Sequence, residues 1–334
     1  RRQSLPSFAT WSDPKEQPDV KPIRRIWFDE LCLAVGRRAP PLQKLGHVNG
    51  TMAAFTQTVA STSRVLLWAD AFLRGASQVV LTNNPISGAL ILGGLFAADA
   101  FVASCGVVGL FGATATAVLL RLDLQATCSG LFGYNGLLVG LGLATFLVGE
   151  QWCLLVLSLV LGALSTVLQQ SLGNALVPTF RCPPFTLAFN VTLVLFVAAS
   201  YKLGRFHPAP FLAPALGADA PLAQDSAPDG AAVIGWALHA ALVSVGQIFL
   251  CNSAVTGALI VGGMAVASRV AAAVAYLGAL GGVALAVGLG AAHAEVASGL
   301  WGYNASLGAT AVFTFFSPNG LCCVFAAVAV ALSV

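Results

Sequence analysis

A chain of 334 residues with 29 charged side chains (16 Lys+Arg and 13 Asp+Glu), 57% hydrophobic residues and a formal charge of +3 is no ordinary soluble enzyme, where about a quarter of residues are charged. The composition asks for a bilayer, since apolar runs recur after residue 79 too closely for surface helices or strands and a crossing takes roughly 20 such residues. Eight cysteines fall in no CxxC pair, which argues against a disulfide scaffold or a thiolate metal site and leaves Cys322 and Cys323 as packing residues of a helix.

Residues 1–48 read as a tail, with Pro6, Pro14, Pro18, Pro22, Pro40 and Pro41 interspersed with Arg24, Arg25, Arg37 and Arg38. It has no apolar signal-peptide core, and its basic excess favours the cytoplasmic side. Within it, Ile26 to Val35 is a candidate amphipathic helix at the membrane surface. From Met52 to Leu73, apolar residues mix with Ser, Thr, Arg64 and Asp70, the pattern of a protein-facing or interfacial helix. Apolar segments follow near 86–98, 101–120, 131–149, 152–168, 185–200, 232–250, 255–267, 270–292, 306–317 and 320–334. Several are too short for a simple crossing and predict broken or re-entrant helices, whose freed backbone groups must be covered by protein or a water-filled cavity. The fold class is an all-α polytopic membrane protein.

One polar, proline-rich stretch, 203–230, divides the chain into a first membrane repeat (49–202) and a second (231–334). The two are copies. Gln78 through Gly94 aligns without gaps on Gln247 through Gly263, with nine identities in 17 positions, and Gly130-Leu131-Phe132-Gly133-Tyr134-Asn135 meets Gly299-Leu300-Trp301-Gly302-Tyr303-Asn304 at the same offset of 169. Homologous membrane halves usually enclose a substrate pathway where they meet. The offset places the partners of Pro183, Thr186 and Phe189 beyond Val334, so the second repeat is expected to be cut short by roughly 35 residues.

The repeated polar residues are neutral: Gln78 and Gln247, Asn83 and Asn252, Asn135 and Asn304. In an apolar setting each needs a partner, because an unsatisfied amide or hydroxyl costs a few kcal/mol. For the asparagines the first expectation is structural, with Asn83 and Asn252 capping helices that begin near Ser87 and Thr256. The glutamines are poor caps. Each offers a donor and an acceptor, and as a symmetry-related pair facing a pathway they suit a small neutral molecule carrying both kinds of group. Leu81 and Leu250 follow them, while Leu138 and Leu307 lie one helical turn beyond Tyr134 and Tyr303. These are either apolar slots that pass a flat solute and exclude hydrated ions, or core packing. Gly136 and Gly140 form a small-xxx-small pair for close helix contact. No GxGxxG, GxxxxGK[ST] or HExxH occurs, and the four histidines have no partners at the repeat offset. Glu295, near a helix end, reads as structural. No enzyme activity, cofactor, metal or nucleic-acid partner is expected, and the sequons at Asn49, Asn190 and Asn304 are expected to carry no glycan.

The residues Leu73-Arg74-Gly75-Ala76-Ser77-Gln78-Val79-Val80 with Asn83-Asn84-Pro85, the two GYN elements, and Cys182-Pro183-Pro184-Phe185-Thr186-Leu187-Ala188-Phe189 resemble the urea transporter family over residues 45–334. Leu45 to Met52 looks like its vertebrate branch. The resemblance implies passive, channel-like urea transport in a plasma membrane without ion gradient or cofactor, two halves of inverted topology, one pore per protomer and a homotrimer. It also implies that Gln78 and Gln247 serve the outer and inner urea sites and that Thr186 lines the central region. Tyr134, Leu138, Tyr303 and Leu307 would form the slots, aided by Leu81 and Leu250. Where the family has Leu-Pro-x-x-Thr-x-Pro-Phe, this chain has Cys182 and Ala188, which changes the expected turn around Thr186. A channel or ion-coupled transporter for another small neutral solute is the alternative. Water and glycerol channels are disfavoured because Asn84-Pro85-Ile86 has the diverged counterpart Ser253-Ala254-Val255.

Overall fold

The computed structural model describes residues 49–209 and 232–334; the tail, with its proposed helix at Ile26 to Val35, and most of the 203–230 linker lie outside the described residues. In chain order the elements are α1 (Ala53–Thr62), α2 (Arg64–Gln78), α3 (Pro85–Ala98), α4 (Ala100–Leu119), α5 (Leu124–Cys128), α6 (Tyr134–Phe146), β1 (Leu147–Gly149), α7 (Gln151–Phe180), α8 (Leu187–Ser200), β2 (Phe206–Pro208), α9 (Ala232–Gln247), α10 (Ala254–Ala267), α11 (Arg269–Gly288), α12 (His293–Ala297), α13 (Tyr303–Phe315) and α14 (Gly320–Leu332). Of these, α4, α7 and α11 are long and apolar enough to cross a membrane. The architecture is that of a helical polytopic membrane protein, and many of its remaining helices are apolar but only 13–16 residues long.

The 169-residue offset is written into the element boundaries. Adding it to α3, α4, α5 and α6 gives both ends of α10, α11, α12 and α13; it also gives the end of α9 from α2 and the start of α14 from α7. The caps keep their role while changing identity. Asn84 and Ser253 receive N–H groups at the starts of α3 and α10, and Asp99 and Ser268 do so at α4 and α11. Asn83 and Asn252 are therefore not the caps. The first helical residue is Pro85, which has no N–H to give and a φ already set for a helix, so the capping position falls on Asn84, one residue later than expected.

Four apolar segments also fold differently from their sequence reading. Ser63 takes an extended conformation and caps α2, breaking the Met52–Leu73 stretch into two helices. The run 131–149 is a helix only over Tyr134–Phe146; Leu147 turns extended, and β1 pairs antiparallel with β2, which brings the beginning of the linker back onto the first copy. The run 152–168 continues to Phe180 through polar residues, because Gln169 finds internal partners in Asn135 and the Leu131 carbonyl. Pro178 removes a backbone donor near that end, and the helix stops at Arg181. The run ending at 292 stops as a helix at Gly288, where Gly290 turns left-handed (φ +83°).

Close backbone approaches hold the bundle together. A Cβ on Gly136 would lie 2.4 Å from the Gly109 carbonyl oxygen, and one on Gly140 2.0 Å from that of Cys105, so the small pair is where α6 meets α4. The copies themselves meet through α3 and α10. Ser87 Oγ donates to the Gly263 carbonyl at 2.6 Å, and its counterpart Thr256 Oγ1 donates to the Gly94 carbonyl at 2.9 Å. All four residues are buried. Around this crossing one hydrophobic core takes Ile91, Leu110, Leu137 and Leu141 from the first copy and Phe249, Ile260 and Met264 from the second.

Candidate functional site

Gln78 and Gln247 are the last residues of α2 and α9. After each the chain closes the helix in the same way. Leu81 N–H returns to the Gln78 carbonyl and Thr82 N–H to that of Ser77; in the second copy Leu250 and Cys251 return to Gln247 and Gly246. This closure needs one left-handed residue, ordinarily glycine. Here it is leucine both times, with φ +57° at Leu81 and at Leu250. Such a conformation costs a branched side chain roughly 1 kcal/mol or more, and the chain bears that cost at the equivalent position of both copies.

The two amides are held identically. Gln78 Nε2 donates to the Ser129 carbonyl and Gln247 Nε2 to the Ser298 carbonyl, each at 2.7 Å. The receiving turns approach because Gly130 and Gly299 take φ of +77° and +80° and have no side chain. A Cβ on Gly130 would stand 2.3 Å from Gly75 N, and one on Gly299 2.7 Å from Ser244 N. No donor among the described residues reaches either glutamine Oε1. Gln78 is buried, while Gln247 is half-buried.

Past those turns, Tyr134 and Tyr303 begin α6 and α13. Tyr134 is buried and its hydroxyl donates to the Phe185 carbonyl at 2.7 Å; Asn135 Nδ2 reaches the same carbonyl and Gln169 Oε1, and Asn135 Oδ1 accepts from Phe189 N–H. The structural reading of Asn135 thus holds. These bonds fix the segment that carries Thr186, the residue before α8. Thr186 is half-buried and its carbonyl accepts from Asn190. Phe185, left-handed at φ +45°, packs edge-on against Phe315 of the second copy with ring centroids 5.4 Å apart.

Tyr134 and Leu138 lie within the core shared by both copies, with Leu250, Tyr303 and Leu307 packed against it, whereas half-buried Leu81 lies outside that cluster. A cavity of about 270 Å³ opens where the copies adjoin, walled by Leu250, Cys251 and Asn252 on one side and by Asp99, Leu141 and Thr145 on the other. Among the described residues no group of three or more His, Cys, Asp or Glu could hold a metal. Glu295 accepts from the Trp301 indole N–H, a structural contact at an exposed corner.

The sequence reading missed a buried ion pair in the first copy. Asp70 and Arg74 are 3% and 2% exposed, and Arg74 Nε meets Asp70 Oδ2 at 2.9 Å. The guanidinium also donates to the Thr51 carbonyl, to the Asn83 carbonyl and side chain, and to Thr56 Oγ1. It thereby ties α1 and the turn carrying Leu81 to α2. Asp70 Oδ1 has no hydrogen-bond partner among the described residues. The i,i+4 spacing of Asp70 and Arg74 was the available signal; the second copy has His239 and Val243 there, so the repeat could not point to it.

A family model described as urea transporter matches residues 69–334. Over 289 residues the chain is 35% identical to urea transporter 1 of Rattus norvegicus, covering 84% of this chain and 72% of that protein. The corresponding protein of Mus musculus is 33% identical over 296 residues, with 86% and 73% covered, and that of Ovis aries 32% identical over 282 residues, with 84% and 72% covered.

Proposed function

The chain belongs to the urea transporter family, and from that premise we propose that it conducts urea passively through a neutral pathway between two repeats of inverted topology. The observation that carries this reading is the matched pair of amides. Gln78 and Gln247 each spend Nε2 on a turn carbonyl at 2.7 Å and keep Oε1 without a donor among the described residues. Two fixed acceptors related by the repeat suit a solute that presents N–H groups in either direction of travel. A Leu at +57° stands beside each amide, giving an apolar wall against which urea's flat face slides.

In this reading residues 49–202 and 231–334 are the two repeats and 203–230 joins them. Gln78 serves the outer site and Gln247 the inner one. Tyr134 with Leu138, and Tyr303 with Leu307, form the slots, and Thr186 lines the centre. The crossing of α3 and α10 supports the two-fold relation, since Ser87 and Thr256 exchange equivalent hydrogen bonds across it. The protomer carries its own pore, assembles as a homotrimer in the plasma membrane and keeps its N-terminal tail in the cytoplasm.

The test is urea entry into proteoliposomes with and without imposed sodium or proton gradients, beside water and ammonia entry. Fast urea entry indifferent to both gradients is expected. Entry that needs a gradient would establish an ion-coupled transporter, and absent urea entry with brisk passage of another neutral solute would assign the pathway to that solute.

A further inference from the structure

Arg121 and Gly290 occupy one position in two equivalent turns. Arg121 and Leu122 return their N–H groups to Val118 and Ala117 at the end of α4; Gly290 and Ala291 return theirs to Val287 and Ala286 at the end of α11. Both positions are left-handed, with φ +53° at Arg121 and +83° at Gly290. Glycine adopts that conformation freely, whereas arginine meets steric resistance. A residue held in an unfavourable backbone region, where its own repeat shows that glycine closes the turn, directs attention to its side chain. Helix-dipole compensation does not explain the placement, because a cation at Leu119 or Leu120 would serve the same carbonyls in ordinary helical geometry.

The Arg121 side chain has no hydrogen-bond or ion-pair partner among the described residues. It borders a cavity of about 310 Å³ whose other walls include Val118, Leu122 and Leu124. Asp123, two residues on, directs Oδ1 to the Ala126 N–H. Leu124 on the cavity wall is 71% exposed and Leu119, the last residue of α4, is 80% exposed, an aliphatic surface that suits acyl chains in a membrane-spanning protein. A guanidinium at the rim of such a surface matches an amphiphile with a negative head.

We infer that the corner between α4 and α5 binds an anionic phospholipid, its phosphate paired with Arg121 and an acyl chain lying along Leu122 and Leu124. The α11–α12 corner has glycine in place of the cation, so the site belongs to the first copy alone. The test follows thermal unfolding of the purified full chain in detergent during titration with phosphatidylglycerol, phosphatidylcholine or inorganic phosphate. Phosphatidylglycerol should raise the unfolding temperature most. In Arg121→Gly, which installs the turn residue of the second copy, about fivefold more phosphatidylglycerol should be needed for the same rise, with no loss of stability in its absence. Arg121→Lys should keep most of the response, and Arg121→Gln carries the comparison if the glycine variant does not fold. Equal responses of the wild type and the charge-removed variant would overturn the site. So would equal effects of the two lipids, and a full response to inorganic phosphate alone would make it a site for soluble anions.

Discussion

Truncating Gln247 to alanine separates the two tasks assigned to its amide. The Nε2 bond to the Ser298 carbonyl is worth about 0.5–1.5 kcal/mol net, and because Gln247 is half-buried water can reach what is left behind. Stability should fall only toward the lower end of that range. The proposed second task, Oε1 accepting from a urea N–H, has a similar value, and its loss should reduce urea permeability at low urea concentration about 2- to 13-fold. Gln247→Glu keeps the shape and an acceptor oxygen but puts a carboxylate oxygen where the donor stood, facing a carbonyl at hydrogen-bond distance, so it should cost more stability than alanine. Stopped-flow light scattering of proteoliposomes reads the flux, with thermal unfolding as the control for folding. Gln78→Ala should match the flux loss but cost more stability, toward the upper end of about 0.5–1.5 kcal/mol, because Gln78 itself is buried. If Gln247→Ala folds and carries urea within twofold of wild type, the amide is a helix-end brace and the proposed inner site is wrong.

Two further predictions concern what holds the site. Arg74→Met strands the buried Asp70 carboxylate and should lower stability by about 3–5 kcal/mol, whereas the double variant Asp70→Leu/Arg74→Met should recover most of that loss in thermal unfolding, since a buried pair is often replaceable by apolar residues of similar volume; a double variant as weak as the single would show that the ties of Arg74 to Thr51, Asn83 and Thr56 matter more than its charge partner. Gly88→Ala places a Cβ 1.8 Å from the Leu73 carbonyl oxygen and should abolish folded protein on size-exclusion chromatography. Gly93→Ala, with nothing within 4 Å, should be neutral or stabilise by about 0.5–1 kcal/mol.

The repeat made much of this molecule legible. A fixed offset between two related copies transfers element boundaries, turn geometry and the Gln-to-carbonyl bonds from one copy to the other, because similar local sequence closes into similar local structure. What the offset cannot transmit is whatever one copy does alone. Arg74 stands opposite Val243, and Arg121 opposite Gly290, so the offset points to neither; the i,i+4 carboxylate marks the first in the sequence, whereas the left-handed turn of the second shows only in the backbone. The β1–β2 pairing escaped for another reason. Leu147–Gly149 is as apolar as the helix before it, and only its partner, nearly sixty residues on, makes it a strand. Asn83, like Asn252, suits the capping of a helix beginning a few residues on, yet the proline beside Asn84 decides where the helix starts. Tyr134 is buried with its hydroxyl bonded to Phe185 while Tyr303 is half-buried, a difference in surroundings that equal sequence does not reveal.

The reciprocal bonds between α3 and α10 have a mechanical side. Sliding one helix along the other would break the Ser87–Gly263 and Thr256–Gly94 contacts together, in either direction, and leave two hydroxyls stranded in a buried interior. The crossing therefore behaves as a rivet rather than a bearing. Any displacement that accommodates a passing solute has to be taken up outside it, in side-chain rotations along the walls or in the turns at the ends of α2 and α9, where each strained leucine sits beside its glutamine.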